Sequence, residues 1–156
     1  MKTPNARSAA RAADDDAQRL AENVAARMFE SDRASRALGM RIESVGPGRA
    51  EMTMTVRDDM LNGHAICHGG FIFLLADSTF AFACNSHNRN TVAQGCTIDY
   101  LAPARAGDVL RAVGSERSRT GRTGVYDIEV TNGQGATVAL FRGKSYRIDG
   151  TLVDER

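Results

Sequence analysis

Residues 71–84 read Phe-Ile-Phe-Leu-Leu-Ala-Asp-Ser-Thr-Phe-Ala-Phe-Ala-Cys, fourteen apolar or small residues with one formal charge, Asp77. Cys67-His68-Gly69-Gly70 stands directly in front of them. No other stretch limits the fold as strongly. A helix that is apolar on every side has no face to offer water, so the rest of the chain must cover it. The run is too short to cross a bilayer, which takes about 20 residues. The cover is therefore protein. A carboxylate inside such a run is costly to bury unless something needs it there.

The remaining chain supplies the cover. Leu20, Val24, Met28 and Phe29 fall at helical spacing and predict a first helix over residues 17–37, ended by Gly39. Residues 40–45 read as a strand, Gly46-Pro47-Gly48 as a tight turn, and residues 50–56 alternate apolar and polar like a half-buried strand. Residues 57–68 form a loop with Asn62-Gly63, and the apolar helix spans 69–85. Four strands follow: 91–101, stopped by Pro103; 108–116; 123–131, followed by the turn signal Asn132-Gly133; and 136–148. About six mostly antiparallel strands wrapped round one long apolar helix give an α+β fold. The reading gives one domain over 17–150, a disordered tail over 1–16 and a short tail over 151–156.

Composition narrows the function. With 156 residues, 42% of them hydrophobic, the chain suits one compact core. The net charge of +1 sets up no basic field, so no nucleic-acid partner is expected, and no membrane partner either. The Ala/Arg-rich start has no apolar signal core and runs into Asp14-Asp15-Asp16. Cys67, Cys84 and Cys96 form no CxxC pair, which reads as reduced thiols in a cytoplasmic protein.

The chemistry gathers at the helix start. Gly69 and Gly70 offer bare backbone N–H groups at the positive end of a helix, suited to a developing negative charge. Asp77 is the lone acid, and its apolar surroundings raise its basicity. It lies eight residues beyond Gly69, about 12 Å along the axis. Reacting atoms must approach to roughly 3–3.5 Å, so one carbonyl cannot meet both groups of one helix. If both act together, the acid comes from a second chain whose helix lies antiparallel across a two-fold axis.

Plainer readings stand beside these. Asp77 pairs with an arginine and fixes the helix, although no Lys or Arg lies within a turn of it. His68 either caps the helix or orients a substrate. His64 and His68 make a metal pair only on a helix, and Asn62-Gly63 argues for a loop, so no metal or cofactor is expected. Cys67 and His68 are adjacent and so poorly placed as a nucleophile and its base. Asn62 is a turn residue or holds a water or an acyl carbonyl. Arg117, Arg119, Arg122 and Lys144 form a solvated face or meet the phosphates of a nucleotide-bearing thiol. No phosphate-binding glycine loop is present.

The strings Leu61-Asn62-Gly63-His64, Cys67-His68-Gly69-Gly70 and Leu75-Ala76-Asp77 closely resemble the hotdog-fold acyl-CoA thioesterases. Thr97-Ile98-Asp99-Tyr100-Leu101, Thr123-Gly124-Val125-Tyr126-Asp127 and Phe141-Arg142-Gly143-Lys144-Ser145 narrow the resemblance to the subgroup of bacterial phenylacetate degradation. The resemblance implies that Asp77 is a catalytic carboxylate supplied across a dimer interface. It implies that the Gly69 N–H, with Gly70 beside it, polarises the thioester carbonyl, and that His68 and Asn62 orient carbonyl and water. Arg119, Arg122 and Lys144 become candidates for the coenzyme A phosphates. A homodimer or homotetramer with shared sites, no metal, and coenzyme A thioesters of ring-hydroxylated phenylacetyl groups complete the expectation. Two departures stand out. The stretch Thr91-Val92-Ala93-Gln94-Gly95 lacks a serine found in some relatives, and Ala81 stands where others carry threonine. The competing functions are a non-catalytic acyl-CoA-binding module and a hotdog hydratase.

Overall fold

In the computed structural model, which describes residues 6–154, the apolar run forms α3, Gly69–Asn85. Its end is fixed by Asn85, whose amide donates to Ala81 O at 2.9 Å and Thr91 O at 3.0 Å and accepts from Thr91 N at 2.9 Å. Six strands receive the helix: β1 (Arg41–Gly46), β2 (Arg49–Thr55), β3 (Thr91–Tyr100), β4 (Val109–Thr120), β5 (Thr123–Thr131) and β6 (Thr137–Arg147). They make one sheet in the order β1-β2-β4-β5-β6-β3, with every pairing antiparallel.

Alternation along the strands decides which residues meet α3. Met52 and Met54 of β2, Leu110 and Ala112 of β4, Tyr126 and Ile128 of β5, and Phe141 of β6 are buried with Leu75, Ala76, Phe80 and Ala83 of the helix. Two strand glycines let the helix sit low on the sheet. A Cβ on Gly143 would come within 2.8 Å of the Phe80 ring, and one on Gly114 within 3.3 Å of Thr79 Cγ2.

The first helix differs from the expectation at both ends. It runs as α1, Ala6–Ser31, so residues 6–16 are helical rather than a disordered tail. Alanine and arginine are strong helix formers, and a turn nucleated where Ala21 and Val24 pack propagates towards the N-terminus at little cost. Residues 1–5 of the expected tail lie outside the described residues. The predicted 17–37 helix is also broken. Asp32 accepts Ser35 N–H at 3.0 Å and caps a separate short helix, α2, Arg33–Ala37. At the other end, residues 151–154 are tied down. Asn88 Oδ1 accepts Leu152 N–H at 2.9 Å and Val153 N–H at 3.0 Å, and its amide donates to Val153 O at 2.9 Å.

Strand β4 outruns its expected end at 116 because a bulge at Glu116/Ser118 carries it on to a tight Gly121-Arg122 turn. Next to that bulge, Glu116 accepts from the Tyr126 hydroxyl at 2.7 Å and pairs with His87 at 2.9 Å. Burial pushes the Glu116 pKa up, but the hydrogen bonds of Tyr126 and His87 more than offset this and hold it below the usual range. A lowered folded pKa contributes stability above the unfolded carboxylate pKa of about 4.3 and loses it as pH falls through the folded value. Replacing Glu116→Gln is expected to cost about 1–3 kcal/mol near neutral pH. Melting curves of the variant and the parent should converge as pH drops from about 5.

Candidate active site

Residues 61–68 make a small closed loop. Leu61 bridges Cys67, and Asn62 N–H donates to Ile66 O at 2.8 Å. Asn62 Oδ1 accepts His64 N–H at 2.9 Å and Ile66 N–H at 3.4 Å, so the turn role is real and occupies the side-chain oxygen. The amide end remains as a donor. His64 and His68 belong to this loop and not to a common helix turn. Among the described residues, no three His, Cys, Asp or Glu side chains group as metal ligands.

The loop delivers His68 to the start of α3 as its N-cap, where Nδ1 accepts Gly70 N–H at 3.0 Å. Two consequences follow. The Gly70 N–H is used within the chain, so the sequence-level pairing of Gly69 and Gly70 as substrate donors reduces to Gly69. An accepting Nδ1 also puts the imidazole proton on Nε2. Gly69 N–H is one of the first-turn donors with no intrahelical acceptor. No hydrogen bond from it occurs among the described residues. Gly69 opens with Asn62, Cys67 and Tyr100 onto a cavity of about 500 Å³. The Cys67 thiol is buried and its pKa pushed up by that burial, which removes the nucleophile reading.

Asp77 opens elsewhere. It lies with Ser78, Ala81 and Phe82 of α3 in a cleft of about 480 Å³, closed by Arg27, Met28, Ser31 and Asp32 on one side and by Thr151 and Leu152 on the other. Burial raises its pKa, and a hydrogen bond from the Cys96 thiol at 3.9 Å to Oδ1 lowers it in part. Asp77 enters no salt bridge among the described residues, so the arginine-paired reading falls away.

The basic candidates separate. Arg119 and Arg122 join His87, Arg89 and Arg147 around a small hollow at the C-terminal end of α3. Both also have acidic partners, Glu116 at 3.5 Å and Asp149 at 3.2 Å. Lys144 is exposed and registers with Gly95 and Val125 between inward-facing Gly143 and Ser145, so it points away from α3 and from that hollow. Arg117 pairs with Asp127 at 3.4 Å.

The model of the family described as thioesterase superfamily matches residues 64–139. The acyl-coenzyme A thioesterase PaaI of Escherichia coli is 55% identical over 128 residues, 82% of this chain and 91% of that protein. The chain belongs to the thioesterase superfamily. The solved structure of the E. coli PaaI protein, from the phenylacetic acid degradation operon, superposes with a TM-score of 0.85 at 53% identity, covering 86% of this chain and 97% of that one. A Streptococcus mutans protein solved with acetyl-CoA bound reaches a TM-score of 0.70 at 28% identity over 72% of this chain and 90% of that one. The thioesterase therefore has the hotdog fold.

Two residues outside the sequence-level candidates touch its site elements. Cys96 reaches Asp77, and the Tyr100 hydroxyl donates to Gly69 O at 2.9 Å. Both stand on β3. The signal available in the sequence is the two-residue alternation Cys96, Ile98, Tyr100, but its parity is hidden by a bulge between Ala93 and Gly95.

Proposed function

We propose that the protein hydrolyses acyl-CoA thioesters to the free acid and coenzyme A, takes ring-hydroxylated phenylacetyl groups as its acyl class, and does so at sites shared between two subunits. One observation carries the reading. Asp77 and Gly69 stand on one helix about 12 Å apart and open onto different cavities. Two copies with α3 antiparallel would bring the collar of each against the acid of the other. The stripe Leu74, Asp77, Ser78 and Ala81 stays only half-buried in the single chain, although the helix is apolar all round, and this supports a partner helix there. A dimer, alone or doubled into a tetramer, is then the smallest active unit.

In such a site the Gly69 N–H stabilises the oxyanion at the positive end of the helix dipole. The Nε2–H of His68 and the amide of Asn62 orient the carbonyl and the water. Asp77, made more basic by burial, takes the proton from the attacking water. Arg119 and Arg122 attract the coenzyme A phosphates, joined by Arg89 and Arg147. The walls of the Asp77 cleft suit a hydroxylated ring, with Met28 and Ala81 as its apolar side and Ser31, Ser78 and Thr151 for its hydroxyl. The unpaired thiols of Cys67, Cys84 and Cys96 suit the reducing cytoplasm.

A panel of coenzyme A thioesters assayed for free thiol tests the function. Hydroxyphenylacetyl-CoA is expected to exceed straight-chain acyl-CoA of similar length by about tenfold or more in kcat/KM. Equal rates across the panel would remove the aryl assignment. Binding without thiol release on every member would leave the acyl-CoA-binding module.

A further inference from the structure

We infer that Cys96 is a positioning residue for Asp77: its thiol holds Oδ1 of the carboxylate so that Oδ2 faces the reacting water. The inference rests on the proposed role of Asp77 as general base.

The geometry begins in β3. Ala93 pairs with Ser145 and Gly95 with Lys144, so one extra residue, Gln94, is accommodated between them. Without that bulge the alternation would turn Cys96 away from the helix. With it, Cys96 pairs with Gly143 on the inward side, and Ile98 and Tyr100 follow on the same side. Four residues of strand cover about 13 Å at roughly 3.3 Å each, close to the 12 Å or so that eight residues of helix cover. Strand β3 therefore runs beside α3 with Cys96 at the acid and Tyr100 at the collar, and both contacts are present.

The chemistry suits the placement. Burial and the neighbouring carboxylate keep the Cys96 thiol protonated, so it donates and does not repel. The other titratable groups around Asp77 are Cys84 on its own helix, and Arg27 and Asp32 across the cleft. Arg27 pairs with Glu30 at 3.1 Å and Asp32 caps Ser35, so both are engaged elsewhere. The thiol is the hydrogen-bond donor to Asp77 found among the described residues.

The test compares Cys96→Ala and Cys96→Ser with the parent. A donor to the ionised carboxylate lowers its pKa, so its loss raises that pKa. The acid limb of kcat/KM is expected to move up by about one pH unit in Cys96→Ala and to return in Cys96→Ser, which keeps a donor. At the optimum kcat falls about tenfold in Cys96→Ala with KM little changed. A purely structural role predicts a lower melting temperature in Cys96→Ala with the limb unmoved, and that result overturns the inference. If Cys96→Ala does not fold, Cys96→Thr replaces it: a methyl added beside a retained hydroxyl should keep the limb at the parental pH, and a shifted limb there counts against the inference. Asp77→Asn separates this inference from the reading beneath it. A dead Asp77→Asn with an unmoved limb in Cys96→Ala removes only the positioning role, whereas an active Asp77→Asn removes the general base and the positioning role with it.

Discussion

Asp77→Asn is expected to lower turnover at least 10²-fold while coenzyme A thioesters still bind. The amide keeps the shape of the carboxyl and removes only its basicity. Asp77 makes no salt bridge among the described residues, and the residue is only half-buried, so the exchange strands no buried charge. The melting temperature should hold or rise slightly, because burial already disfavours the ionised acid. Stopped assays of thiol release and titration with a non-hydrolysable thioether analogue measure the two quantities separately. Turnover near that of the parent would take Asp77 out of the chemistry and leave the hydrolysis to other groups. Loss of binding along with turnover would make Asp77 a structural residue of the cleft.

Mixed dimers carry the second large effect. Gly69→Pro removes the collar N–H at a helix position where proline is well tolerated, and His68 before it already has the extended backbone that a following proline favours, with ψ 132°. Alone, Gly69→Pro and Asp77→Asn should each lose at least 10²-fold in kcat. Co-expressed, they should recover about a quarter of the parental activity. Half of the randomly paired dimers are mixed, and each of those restores one of its two sites. A Cβ at Gly69 would come within 3.0 Å of Tyr100 Cζ, so Gly69→Ala serves as the control that crowds Tyr100 but keeps the N–H. Activity in Gly69→Ala with none in Gly69→Pro isolates the donor. Mixed dimers, verified as folded and paired, that stay inactive would mean the helix start and the acid are not partners across a two-fold axis.

Most of this fold is legible in the residues because one feature dominates. An apolar helix with a glycine start sets its own bounds, and strands that alternate against it announce their inward faces, so α3 and β5 fall where spacing puts them. The early chain is harder to read. Alanine and arginine at 6–13 carry no apolar period, and helix propensity alone extends α1 through them. Asp32 looks like any polar residue of a helix until its carboxylate is seen capping Ser35. Of the candidate site, Gly69, His68, Asn62 and Asp77 stand out in the sequence because their types and spacing suggest chemistry. Cys96 and Tyr100 are not, because a one-residue bulge reverses the parity of their strand and no local pattern marks it. Lys144 differs from Arg119 and Arg122 in a way composition does not mark: it stands on the outward face of β6, whereas those two line the hollow at the end of α3.

The strand order has a consequence for how this chain becomes functional. Strand β3 follows α3 directly, yet its one neighbour in the sheet is β6, the last strand. The pairing from Thr91↔Arg147 to Tyr100↔Ala139 cannot form until β6 exists. During synthesis, the helix and β2, β4 and β5 can find one another while β3 waits as a long excursion, its closure entropy unpaid. Cys96 and Tyr100 therefore reach the acid and the collar in the final stage of assembly. A chain stalled before its last strand would lack Val138, Ala139 and Phe141 in the core around α3 and would leave two of the six strands, β3 and β6, out of the sheet, so closure of the core and alignment of Cys96 and Tyr100 with the helix come in the same step.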